Sequence, residues 1–199
     1  MTFSPPPSRV TTNSATETTK DRIMKAAMEI ARAKGARHLT IDAVTLEVGL
    51  SKGGILYHFP SKNALLEGLI GHMVVTMRNR LNTYFQGFQC GPNPTLRALV
   101  MVLEDVLEDR LSVPVALLAA GAEDPALLKP ARMEISRVWQ EIQSETTDVP
   151  RALVIWSAME GVHYMDLLGM TPEGRSLLRK CLAQLKIMIE DLPPKERKI

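Results

Sequence analysis

Residues 40–62 have the sequence TIDAVTLEVGLSKGGILYHFPSK, and this stretch decides the fold. Thr40 and Ser51 stand where a hydroxyl group can cap the first turn of a helix, and apolar residues at helical spacing follow each of them. Gly49 lies between the two predicted helices, and glycine tolerates the positive φ that a tight turn requires. The apolar residues spaced to pack beneath this turn are Val44, Val48 and Ile55. The stretch therefore predicts a helix-turn-helix.

The second of these helices has a small and polar outer face. Lys52 stands at its start, and Gly53 and Gly54 allow the backbone to come close to a partner. Tyr57 and His58 follow as large hydrogen-bond donors at the far end. A helix that enters a DNA major groove needs small residues for close approach and donors for phosphates and base edges, and this face provides both.

Helical periodicity continues on both sides of this stretch. The alternating pattern of a half-buried strand is missing, aromatic residues make up only 5% of the chain, and no Asn-Gly or Asp-Gly pair indicates a hairpin. Gly35 closes the first predicted helix, and Thr171 with Pro172 caps the last. A short apolar helix is predicted over Val113–Ala120. The chain is thus expected to be all-α, with about nine helices.

Composition and charge divide the chain. Residues 1–19 contain three consecutive prolines and many Ser and Thr, which predicts a disordered tail. From Lys20 to Arg80 there are ten Lys and Arg against five Asp and Glu, a net charge of +5, while residues 81–199 have thirteen against sixteen, a net charge of −3. A basic segment joined to a mildly acidic remainder is typical of a nucleic-acid-binding module attached to a regulatory body.

The run SKGGILYHFPSKNALL at residues 51–66 resembles the recognition-helix signature of TetR-family repressors, in which Ser-Lys-Gly, Tyr-His-Phe and Ser-Lys recur at this spacing. The N-terminal helix, the turn at Gly49 and the length of 199 residues agree with that family. The likeness of motifs extends over residues 20–73. It implies a three-helix DNA-binding domain over residues 20–66 and a helical ligand-binding and dimerisation domain over residues 67–199.

The resemblance also implies a function. The chain is expected to be a cytoplasmic, non-enzymatic homodimer that represses transcription by binding a pseudo-palindromic operator in double-stranded DNA. Repression would end when a small apolar or amphipathic effector enters the C-terminal domain and changes the spacing of the two recognition helices. The alternative is a DNA-binding regulator without such an effector, controlled by a protein partner or by its own abundance.

The resemblance assigns DNA contacts to positions in and around the two short helices. This chain departs from the family at Thr45, where Ala is usual, at Gly54, where Thr, Ser or Asn is frequent, and at Leu56, where Tyr is frequent. The last two departures remove polar groups from the recognition helix, so more of the readout is expected from its remaining donors. The predicted DNA-binding residues are Thr40, Ser51, Lys52, Gly53, Gly54, Leu56, Tyr57, His58 and Lys62.

A second group of candidates lies in the C-terminal part. Glu160, His163 and Asp166 recur every three residues on one predicted helix, so they form a wide polar stripe. This stripe can line a pocket, bind a metal, form buried dimer contacts or be an ordinary satisfied polar stripe. Trp and Met side chains nearby suit either an adaptable sensor pocket or an ordinary core. The predicted ligand-binding residues are Leu103, Trp139, Trp156, Met159, Glu160 and His163.

The last two predicted helices are expected to form the dimer interface. The segment 149–169 is apolar around nearly its whole circumference, so one face can enter its own core while a second needs another cover. Two such helices per subunit predict a four-helix interface about a two-fold axis. The residues expected to act in the same manner in the last helix are Leu177, Leu178, Cys181, Leu182 and Leu185.

Other kinds of site receive little support from the sequence. Cys90 and Cys181 are far apart and not at metal-ligand spacing, so free thiols in a reducing cytoplasm are expected. No P-loop, dinucleotide or nucleophile motif occurs, and neither a cofactor nor a metal is expected. No apolar run approaches the length that spans a bilayer, and no membrane partner is expected.

Overall fold

The regular elements of the chain are helical, as the sequence predicts. The computed structural model describes residues 18–35, 38–109, 121–122, 124–172 and 174–196. Within them the helices are α1 (Thr19–Lys34), α2 (Ile41–Val48), α3 (Lys52–His58), α4 (Lys62–Phe88), α5 (Pro94–Asp109), α6 (Lys129–Glu145), α7 (Val149–Leu167) and α8 (Arg175–Glu190), with a 3-10 turn at Pro125–Leu128. The helix predicted over residues 113–120 and most of the predicted tail lie outside the described residues.

Hydroxyl caps determine where the first four helices begin. Thr40, Ser51 and Ser61 each accept a hydrogen bond from the backbone N–H three residues further on, at 3.0–3.1 Å. At the start of α1, Thr18 accepts from the Asp21 backbone in the same way, and the Asp21 carboxylate accepts from the Thr18 backbone N–H at 3.0 Å. These bonds satisfy N–H groups that the first turn of a helix leaves open. Residues 18 and 19, which the sequence assigns to the disordered tail, are instead the cap and the first residue of α1.

The described residues form two compact units, of which the N-terminal unit consists of residues 18–35, 38–76, 121–122 and 124–134. Its core joins α1 to α4, and Ile23, Val44 and Ile55 are completely buried in it. Gly49 has φ 70°, the left-handed conformation that the sequence predicts for the turn between α2 and α3. Leu127, from the 3-10 turn far along the chain, is buried in the same core.

The C-terminal unit consists of the described residues 77–109, 135–172 and 174–196. Contacts between α5, α7 and α8 build its core, in which Ile155 and Ile189 are completely buried. At the edge of this core the Tyr84 hydroxyl donates to the Asp105 carboxylate at 2.8 Å. Burial, together with this carboxylate, raises the pKa of Tyr84 to about 12. Both α4 and α6 run from one unit into the other.

The start of α8 differs from the prediction that Thr171 and Pro172 cap it. The helix begins at Arg175 after Gly174, whose φ is 73°, and no side chain caps it. The Thr171 hydroxyl is buried without a hydrogen-bond partner among the described residues. A capping hydroxyl bonds the N–H groups two or three residues further on, and those positions still precede α8. The prediction of this cap was therefore wrong.

The two last helices also differ in the apolar surface that they expose. α7 buries Ile155 and Met159 and exposes Leu153, Val154 and Met165, so it is apolar on two sides as predicted. In α8, Leu178, Leu182 and Leu185 are buried in the unit's own core, and Leu177 and Cys181 are half-buried. The only large apolar side chain that the described part of α8 exposes is Ile187. The second apolar face predicted for α8 is therefore confined to the half-buried Leu177 and Cys181, and the place of this helix in a dimer interface stays a prediction.

Candidate nucleic-acid interface and ligand site

The two sides of α3 have opposite characters. Ile55 and Phe59, four residues apart, are buried in the core of the N-terminal unit, as predicted for Ile55. Gly53 and Tyr57, also four residues apart, lie on the far side, and 85% of the Tyr57 side chain is exposed. Leu56 lies beside this line with 36% of its surface exposed. The core therefore anchors one side of α3 and presents the other to solvent.

An ion pair joins α3 to α2. The Lys52 ammonium lies 2.8 Å from the Asp42 carboxylate, and both side chains are largely exposed. Exposed pairs of this kind contribute only about 0–1 kcal/mol, so the contact can be exchanged for a phosphate at little cost. Asp42 was missed by the reasoning from sequence, since nothing local marks it as the partner of a residue in the next helix.

The remaining predicted DNA contacts lie at the helix starts and at the far end of α3. Thr40 and Ser51 are exposed and serve as the caps of α2 and α3, while Lys62 is the exposed first residue of α4. His58 is half-buried and meets the Tyr57 ring edge-on, with 5.1 Å between ring centroids. All nine predicted residues thus belong to the segment of the N-terminal unit that contains α2, α3 and the start of α4.

The two glycines of α3 are not required by the fold. A Cβ atom at Gly53 would come no closer than 4.0 Å to the Ser51 hydroxyl, and one at Gly54 would lie 3.5 Å from it, which is ordinary contact. Neither glycine has a positive φ. Each glycine inside a helix lowers the stability by about 1 kcal/mol relative to alanine. The two glycines therefore destabilise α3, although the fold of this unit does not require them.

The departure at Thr45 is accommodated within α2. Its side chain is half-buried, and its hydroxyl donates to the Ile41 carbonyl oxygen one turn earlier at 2.8 Å. At the end of the same helix, the Arg22 guanidinium donates to the Val48 carbonyl oxygen at 3.2 Å. Both bonds go to backbone acceptors of α2, so the Thr45 hydroxyl has a partner within its own helix.

The predicted ligand residues lie together in the C-terminal unit. Leu103 and Met159 are buried in its core. The half-buried rings of Trp139 on α6 and Trp156 on α7 stack with 5.7 Å between their centroids and 10° between their planes. These side chains therefore form one aromatic and apolar region, as expected of either a core or a pocket lining.

Beside these apolar side chains, α7 carries a row of polar groups. Trp156, Glu160 and His163 have the spacing of a single helix face. Burial raises the pKa of the Glu160 carboxyl above its ordinary value, and His163 and the Trp156 indole oppose part of that rise. His163 Nε2 is buried with no hydrogen-bond partner among the described residues, and Glu160 takes part in none of the ion pairs found there. Across the described chain, no three His, Cys, Asp or Glu side chains converge as metal ligands.

Comparison with known proteins places this geometry in a family. Residues 23–69 match the family model described as bacterial regulatory proteins, tetR family. Residues 93–190 match the model described as tetracyclin repressor-like, C-terminal domain. The chain belongs to the TetR family. Proteins of this family are DNA-binding transcriptional regulators and not enzymes, which confirms the function class that the motif at residues 51–66 predicts.

Individual TetR-type relatives are distant. The uncharacterized HTH-type transcriptional regulator YerO of Bacillus subtilis is 25% identical over 157 residues, which are 78% of this chain and 52% of YerO. The chain thus spans about half the length of this curated relative. Solved structures share the fold: multidrug binding protein EbrR complexed with malachite green has a TM-score of 0.68 at 18% identity, covering 86% of this chain and 98% of EbrR. A regulator from Saccharomonospora viridis in complex with choline has a TM-score of 0.67 at 19% identity, covering 89% and 98%.

One further finding concerns membranes. None of the helices in the described parts of the chain combines the length and the apolar character that a membrane crossing demands.

Proposed function

We propose that this TetR-family regulator is a homodimeric repressor that leaves a pseudo-palindromic operator when an amphipathic, positively charged effector binds beside α7. The observation that carries the effector part is the row of half-buried side chains Trp156, Glu160 and His163, in which His163 Nε2 has no hydrogen-bond partner among the described residues and burial raises the pKa of Glu160. The exposed apolar side of α7 supports the dimer, and the outer side of α3 supports the contact with DNA.

The dimer follows from the surface of α7. Leu153, Val154 and Met165 are each at least 45% exposed, although the same helix already fills the core of its own unit with its other side. Exposed apolar side chains that share one helix mark a surface that another molecule covers. A second copy of α7 about a two-fold axis covers it with the same residues, and a two-fold dimer matches the two half-sites of a palindrome.

The charge of the effector follows from Glu160. A buried carboxylate is stable only when it is paired or protonated, and here burial raises its pKa while only His163 lies near as a basic group. The Trp139–Trp156 pair beside it offers aromatic faces, which attract cations. An organic cation with an apolar body would satisfy both features. The ligands named with the EbrR and Saccharomonospora viridis structures, malachite green and choline, are cations of this kind.

A route for the effector to act on DNA binding lies in α6. Its C-terminal part carries Trp139 in the C-terminal unit, and its first residues, 129–134, belong to the N-terminal unit. Just before them, Leu127 is buried in the core around α1 to α4. A shift of α6 on effector binding would therefore reach the unit that carries α3, which is the coupling of two sites that release requires.

The test begins with a duplex selected from a random pool by the full-length chain. A panel of organic cations that includes choline and malachite green is screened for thermal stabilisation, and each stabilising cation is then titrated into the complex. We expect the affinity for DNA to fall by about 5- to 150-fold, the usual range of allosteric coupling. Tyr57→Ala serves as the control that loses DNA affinity but keeps cation binding, since Tyr57 is exposed on α3.

Each outcome decides one part of the proposal. If no duplex is enriched, operator binding is wrong. If a duplex is enriched but no cation stabilises the protein or releases DNA, the effector is wrong, and regulation by a protein partner or by abundance is favoured.

A further inference from the structure

We infer that Leu56 of α3 reads thymine in the operator through the 5-methyl group, so that part of the sequence specificity is apolar. This inference rests on operator binding and is independent of any effector. Its starting point is the composition of the outer side of α3, where an apolar side chain occupies a position exposed to solvent.

The outer side of α3 has few groups that can form hydrogen bonds with base edges. Gly53 and Gly54 have no side chains, and a Cβ atom added at either would make only ordinary contacts. Lys52 is held 2.8 Å from Asp42, on the side of α3 that faces α2. His58 is half-buried, so the exposed donors of this helix are Tyr57 and Lys52, of which Lys52 is paired with Asp42.

Leu56 lies at the edge of this open surface. It is four residues after Lys52 and three after Gly53, so its side chain stands between the ion pair and the bare backbone. It is 36% exposed, so the outer part of the side chain meets solvent. When the glycine backbone approaches a groove closely, this outer part approaches the base edges with it.

The chemistry of the major groove leaves one partner for such a group. Every base edge there presents hydrogen-bond donors or acceptors, and only thymine adds an apolar group, its 5-methyl. A leucine that covers a donor or acceptor would leave that group unpaired, which is costly. A leucine that covers the methyl group removes apolar surface from water on both sides. The same contact therefore favours thymine and disfavours the other bases.

The experiment compares two forms of one duplex. The duplex is selected from a random pool by the wild-type chain, and a second form replaces its thymines by deoxyuridine, which removes only the methyl groups. We expect the wild type to bind the deoxyuridine form about fourfold more weakly for each methyl group in contact, as expected for one buried methyl. Leu56→Ala is expected to bind both forms with the same affinity.

Two further variants serve as controls for this experiment. Leu46→Ala deletes the same side chain from α2, where it is 85% exposed, and should keep the wild-type preference for thymine. Leu56→Gln keeps a side chain of similar size and should also lose the preference for the methyl group if the fold is intact by circular dichroism. Equal binding of both duplexes by the wild type, or a full preference for thymine in Leu56→Ala, would overturn the inference.

Discussion

The start of α3 and the middle of α7 differ in whether their polar groups have hydrogen-bond partners. The Ser51 hydroxyl at the start of α3 finds its partner three residues further on, whereas Nε2 of His163 in α7 is buried with no partner among the described residues. A buried polar group without a partner costs about 1–3 kcal/mol. The hydrogen bonds of the recognition segment are therefore complete in the free protein, while the region around α7 keeps a polar group that the proposed effector would satisfy.

The largest effect is expected from a charge on the outer side of α7. Val154 is 60% exposed, and Val154→Glu should prevent dimerisation because the interface would bury an unpaired carboxylate. Since two half-sites bind jointly only in a dimer, the affinity for the selected duplex should fall by about 100-fold or more. Analytical ultracentrifugation and fluorescence anisotropy measure the two consequences.

The matched control for this change is Ile135→Glu. Ile135 is 53% exposed on α6 in the same unit, so the substitution adds the same charge to a similar exposed β-branched residue. It should leave the dimer and the DNA affinity unchanged. A dimeric Val154→Glu variant with full affinity would remove α7 from the interface and leave its exposed apolar side unexplained.

The second effect separates the stability of α3 from its function. Gly54→Ala should stabilise the chain by about 0.5–1 kcal/mol, because alanine is the better helix former and the site has room for its Cβ. That change corresponds to a rise in Tm of about 1–4 °C for a chain of this size. The same Cβ should hold the backbone away from the groove and weaken DNA binding by about tenfold.

Gly71→Ala provides the comparison for this prediction. Gly71 lies inside α4, where an added Cβ would meet nothing within 4 Å, so the gain in Tm should be similar. Its affinity for DNA should match the wild type. If Gly54→Ala also kept full affinity, close backbone approach at α3 would be ruled out.

The difference between local and distant contacts explains which features could be predicted from the sequence. The caps at Thr40 and Ser51 and the turn at Gly49 follow local rules that act within three or four residues, and the structure confirms them. Leu127, in contrast, enters the core of the N-terminal unit from a distant part of the chain, and no local pattern distinguishes it from any other leucine. The partner of Lys52 was missed for the same reason. The roles of the individual site residues stay predictions, since they depend on molecules that bind to this chain.

The smallest expected effect is a pH-dependent difference in Tm, and it tests whether the Glu160 carboxylate in α7 lacks a partner in the free protein. Because burial raises the pKa of Glu160 in the folded state, the folded protein binds this proton more tightly than the unfolded chain does. By linkage, the contribution of Glu160 to stability is greatest below the unfolded pKa and is lost as the pH rises through the folded value.

Glu160→Gln keeps the shape of the protonated acid and cannot ionise. The variant should therefore match the Tm of the wild type near pH 4 and exceed it near pH 8. An organic cation that pairs with Glu160 should abolish this advantage by stabilising only the wild type at the higher pH. If the difference in Tm between the two proteins were the same at both pH values, the Glu160 carboxylate would already have its partner, and α7 would be as complete as α3.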